Sequence, residues 1–87
     1  MATAHFYAVA SQDRKARYVV VLDPRVRSAQ RVAEDHARRF KVKVDQVWDG
    51  SVKGYSAVVP LQRLRALEAD RRVASVEPGE LDEFARN

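Results

Sequence analysis

The 87-residue chain contains no cysteine. That excludes a disulfide framework, a thiolate nucleophile and any cysteine-ligated zinc site. It has only three glycines and three prolines, and neither a phosphate-cradling glycine-rich loop nor a Gly-x-Ser-x-Gly elbow can be found. No apolar run exceeds five residues, as in 18–22, so no segment is long enough to span a bilayer as a helix. The first ten residues carry no Lys or Arg, and Thr3 and His5 interrupt their apolar side chains, so they do not read as a secretory signal. His5 and His36 lack the spacing of paired metal ligands. The acidic pairs Glu34-Asp35 and Asp82-Glu83 are adjacent in sequence and poorly placed for separate acid and base roles. No catalytic residue, metal ligand or cofactor is expected.

What is present is a globular composition, 46% hydrophobic and 32% charged, sized for one small domain. A core this small, without staples, gives modest stability on its own. Sixteen Lys and Arg face twelve Asp and Glu, for a net charge of +4. The charge is uneven: residues 1–53 hold eleven basic and six acidic side chains (+5), and the remainder five and six (−1). A basic front half suits either a solvated arginine-rich surface or an anionic partner such as nucleic acid.

Hydrophobic periodicity supplies the elements. Tyr18, Val19, Val20, Val21 and Leu22 form a β-branched and aromatic run closed by Asp23-Pro24, which predicts a strand. Ala29, Val32, Ala33, His36, Ala37 and Phe40 then line one face of a helix over about 26–40. Either Ser28 or the Asp23-Pro24 pair is a fitting helix start. Val42, Val44, Gln46 and Trp48 alternate with Lys43, Asp45 and Val47, as in a strand with one polar-leaning face. Asp49-Gly50 signals a hairpin into a second strand over 52–59, where Gly54 eases close packing. Leu61, Leu64 and Leu67 predict a short helix over 61–69, and residues 73–77 a last strand broken by Pro78-Gly79. On its stripe, His36 reads as a packed, hydrogen-bonded core histidine.

The order βαββαβ predicts an α+β ferredoxin-like sandwich, a four-stranded antiparallel sheet with both helices on one face and the other face bare. An RNA-recognition motif has the same order, and Lys53-Gly54-Tyr55 opens like its third-strand signature. Ser56, Ala57, Val58, Val59 and Pro60 then lack the two aromatic platforms that stack bases.

Five segments, residues 18–22, 33–40, 52–57, 61–70 and 72–78, together resemble one family in order and spacing. The most specific pieces are Lys53-Gly54-Tyr55-Ser56-Ala57 and, later, Val73-Ala74-Ser75-Val76-Glu77-Pro78. The chain resembles the subtilisin propeptides and the free-standing protease inhibitors of the I9 family over residues 17–79. On this resemblance residues 1–16 are an N-terminal lead-in and 80–87 an inhibitory tail.

The resemblance implies a non-enzymatic inhibitor, and in a pro-region also an intramolecular folding chaperone, of a subtilisin-like serine protease. The bare sheet face would dock on the enzyme through Tyr55, Ser56 and Ala57. The acidic groups Glu77 and Glu80 would meet enzyme helix N-termini; where the family carries its next acid, this chain has Gly79. The tail residues Phe84, Ala85, Arg86 and Asn87 would occupy the substrate cleft as a product does. Phe84 would fill a hydrophobic subsite, worth about 1.5–3 kcal/mol. No small-molecule substrate or membrane partner is expected, and the location would be extracellular for the pro-region of an exported protease. The alternative from another class is a nucleic-acid-binding module using the basic first half and the open face; a third is a regulatory domain that dimerises through that face.

Overall fold

The β-branched run after Arg14 forms the first strand. A computed structural model describes residues 14–79, and in it β1 spans Lys15–Leu22. The strand thus begins two residues inside the expected lead-in, and Leu61 N–H also donates to the carbonyl of Arg14 at 3.0 Å. Helix α1 covers Ala29–Phe40, strand β2 Lys43–Asp49 and strand β3 Lys53–Pro60. A 3-10 turn, Leu61–Arg63, leads into the short helix α2, Leu64–Glu68, and β4 covers Val73–Pro78. The leucine spacing of three foreshadows that tight first turn.

The sheet is four-stranded and antiparallel in the order β2-β3-β1-β4. Val20 and Leu22 of β1 and Tyr55, Ala57 and Val59 of β3 are buried on one face. They pack there against Ala29, Val32, Ala33 and Phe40 of α1 and Leu67 of α2. This is the ferredoxin-like α+β sandwich, with both helices on one side.

Ser28 settles where α1 starts: its hydroxyl accepts from the N–H of Arg31 at 3.2 Å. The carboxylate of Asp49, at the end of β2, accepts from Ala29 N–H at 3.1 Å, so a strand end caps the helix as well. The helix closes at Lys41, whose φ of 60° is the one left-handed backbone among the described non-glycine residues.

Two local expectations change. A bulge between Val44 and Gln46 breaks the alternation of β2. Val44 and Val47 share the helix face, and Gln46 and Trp48 the open face. The Asp49-Gly50 signal does lead into a hairpin, but its strands pair up to Asp49 and Lys53 across a three-residue loop, 50–52. Gly50 keeps an ordinary negative-side φ, and the Lys53–Asp49 ion pair at 2.8 Å closes the loop.

Candidate protein-binding surface

Strand periodicity decides what the uncovered face presents. The Tyr55 hydroxyl lies 2.7 Å from His36 of α1, so Tyr55 and, two residues on, Ala57 point toward the helices. Both are 0% exposed. They are therefore core residues, and their side chains do not reach the face that a partner would touch. Tyr55 is equally closed to the base stacking tested above. Of the three expected strand contacts, only Ser56 lies on the open side.

Around Ser56 the register assembles a patch that sequence reasoning did not name. Val19 of β1 and Gln46 of β2 flank Ser56 on either side. Val21 and Trp48 flank Gly54 in the same way, and Val58 follows along β3. Val19, Val21, Val58 and Trp48 are all half-buried, an apolar stripe that none of the described helices covers. A Cβ on Gly54 would come within 2.5 Å of the Val20 carbonyl oxygen, so the ladder is too tight there for any side chain. The rim is polar. Arg17 reaches across β3 to form an ion pair with Asp45 at the β2 bulge, and Ser75 donates to Glu77 at 3.3 Å on the β4 side. Apolar centre and charged rim are the usual anatomy of a protein interface.

Ser56 itself is 0% exposed, and its Oγ has no hydrogen-bond partner among the described residues. Glu77 is exposed on β4 opposite Val19, which separates it from Ser56. Gly79 extends the β1–β4 ladder by donating to the Arg17 carbonyl at 2.9 Å. A Cβ there would lie 2.8 Å from the Tyr18 backbone, so this position has no room for the family's acid. Glu80, Phe84, Ala85, Arg86 and Asn87 lie outside the described residues.

Beneath the sheet, the core histidine is satisfied on both nitrogens. His36 Nε2 is 3.0 Å from the Asp70 carboxylate, and Nδ1 is 2.7 Å from the Tyr55 hydroxyl. An ionised carboxylate only accepts, so Nε2 carries the proton and Nδ1 accepts from Tyr55. Burial holds the His36 pKa below its usual 6.5, against the pull of Asp70. Burial likewise pushes the Tyr55 phenol up. Arg72 completes the network with bonds of 2.7 Å to Asp70 and 2.6 Å to Asp35. These hydrogen bonds hold Asp70 well below the usual carboxylate range and bring Asp35 down to about 2. The Tyr-His-Asp relay is sealed from solvent on its Tyr and His members, so its role is to order the core. The sequence separations of 34 and 37 residues that it spans leave no local signal; only the place of His36 on the helix stripe hinted at a partner.

Among the described residues no group of three or more His, Asp or Glu side chains is placed to hold a metal ion, and no helix is long and apolar enough to cross a membrane. Compared with protein-family models, curated proteins and solved structures, the chain returns no match.

Proposed function

We propose that the chain is an inhibitor of a subtilisin-like serine protease, of the propeptide type. The open sheet face docks on the enzyme, and the C-terminal tail enters the substrate cleft as a bound product. The observation that supports this best is the apolar stripe of Val19, Val21, Val58 and Trp48 on a sheet face that no described helix covers, rimmed by Arg17–Asp45 and Glu77. β4 and Gly79 deliver the chain to its tail beside the rim, since the ladder runs on from Pro78 to the Arg17 carbonyl. The face does not favour nucleic acid. Trp48 is the one aromatic residue it presents among the described residues, and Asp45 and Glu77 add negative charge.

The test is a titration of purified subtilisin with the whole chain, followed over hours. Rapid, lasting inhibition supports a free-standing inhibitor; inhibition that decays as the chain is digested supports a pro-region. Removing residues 84–87 should weaken inhibition at least about tenfold with the fold retained, because a buried Phe is worth about 1.5–3 kcal/mol. Trp48→Ala should weaken it as well, as the loss of a large aromatic anchor does. Absence of inhibition across several subtilisin-like enzymes rejects the reading.

A further inference from the structure

The end of the sandwich where β1 leaves and β4 begins carries a second surface, away from the open face. A cavity of about 390 Å³ opens between the β1–α1 connection and the α2–β4 connection. Buried Val32 and half-buried Val26 give it an apolar wall. Its volume is that of a small-ligand pocket.

Five arginines and a single carboxylate line this cavity. The carboxylate, Asp23, is already taken: Arg25 binds it at 2.9 and 3.0 Å through its guanidinium and at 2.8 Å through its backbone N–H. Arg72 is likewise saturated by Asp35 and Asp70. Arg27, Arg31 and Arg71 remain, all exposed, and none pairs with a carboxylate among the described residues. Three arginines with no carboxylate partner among the described residues thus line one largely apolar hollow. The N-terminus of α1 adds little to this field, because Ser28 and Asp49 already accept from Arg31 N–H and Ala29 N–H. Recognition here falls to side chains.

That combination selects a ligand chemistry. A phosphate dianion offers three acceptor oxygens and twofold charge, and guanidinium forks match it in bidentate fashion. The valine wall then favours a phosphate that carries an apolar or aromatic body over a free inorganic ion. We propose that this cavity is a binding site for a small phosphate monoester, its phosphoryl group held by Arg27, Arg31 and Arg71 and its body lying on Val26 and Val32. The site is separate from the proposed protease contacts. The antiparallel register sets Leu22 opposite Val73 at this end and Tyr18 opposite Pro78 at the other, where the tail departs.

The experiment is an amide-shift titration of the whole ¹⁵N-labelled chain with phenyl phosphate, inorganic phosphate and benzyl alcohol in parallel. Phenyl phosphate should give saturable shifts at residues 26–32 and 71–72, leaving Val19 and Ser56 unmoved. Inorganic phosphate should bind the same residues more weakly, and benzyl alcohol should not saturate. Arg31→Gln and Arg71→Gln should each weaken phenyl phosphate about tenfold, the usual worth of a charged hydrogen bond, with the remaining spectrum unchanged. Shifts spread over all arginine-bearing surfaces, equal affinity in both variants, or no saturable binding would overturn the proposal. So would tighter binding of a single-stranded oligonucleotide that displaces phenyl phosphate and moves the whole outer face of α1, which would make this a polyanion surface.

Discussion

Replacing Ser56 with alanine should stabilise the folded chain. Ser56 sits at the centre of the sheet, on β3 between β1 and β2, and is fully buried with a hydroxyl that has no partner among the described residues. In the unfolded chain that hydroxyl is hydrated; folding strips the water and returns no hydrogen bond. Leaving such a group unsatisfied costs about 1–3 kcal/mol. Alanine keeps the Cβ and removes only the oxygen, so the opposing loss of packing is a fraction of a kcal/mol on the order of the cavity relation. The net gain should be about 1–2 kcal/mol, which for a domain of this size raises Tm by roughly 4–8 °C per kcal/mol. Urea unfolding followed by far-ultraviolet circular dichroism and by the fluorescence of the single tryptophan would read it, with an unchanged m-value as the sign that only stability moved. A variant that unfolds at lower urea than the parent chain would show that the hydroxyl is bonded in solution and refute the reasoning.

Four further outcomes follow from the same geometry. Because burial lowers the folded pKa of His36 below its unfolded 6.5, the unfolded chain binds this proton first. Stability should therefore be full above that pH and fall as the pH drops below it toward the lower folded pKa, a slope that His36→Gln should flatten in urea midpoints. Asp70→Asn should cost about 2–4 kcal/mol, since it removes the carboxylate shared by His36 and Arg72 and leaves Arg72 only Asp35; unchanged thermal melting would contradict the network. Lys41→Gly should raise stability by about 1 kcal/mol in the same melts by removing a side chain from a left-handed helix end. Gly79→Asp should lower stability by about 1–3 kcal/mol, because its Cβ meets the Tyr18 backbone; if it instead tightened protease inhibition at no cost in stability, the steric account would fail.

The elements were legible because each rests on a local rule. The run at 18–22 is β-branched, the stripe from Ala29 to Phe40 has helical period, and Pro or Gly marks most of the breaks. The β2 bulge was not legible. Asp45 is as acceptable on the polar side of a regular strand as in a bulge, and what favours the bulge is the placement of both Val44 and Val47 against the core. That is a tertiary preference overriding a period-2 pattern.

The candidate surface failed at the same level, through phase. A strand presents alternate residues, so Tyr55, Ser56 and Ala57 could never all face one partner; fixing the phase required knowing that Tyr55 bonds His36 across the core. Once that bond is set, the rest is forced. Ser56 turns outward, the register lays Val19 and Gln46 on either side of it, and the bulge swings Trp48 onto the same face. That bond marks the phase, and the buried Ala57 and Val59 hold it as well; together they decide which apolar side chains face away from the helices. Breaking the bond tests the connection: Tyr55→Phe keeps the ring but orphans His36 Nδ1. It should cost about 1–3 kcal/mol in urea unfolding. Because the phase is also held by the buried Ala57 and Val59, Trp48 fluorescence of the folded state should not change. A variant in which stability holds but Trp48 emission shifts would mean that the hydrogen bond, and not the apolar core, sets the register.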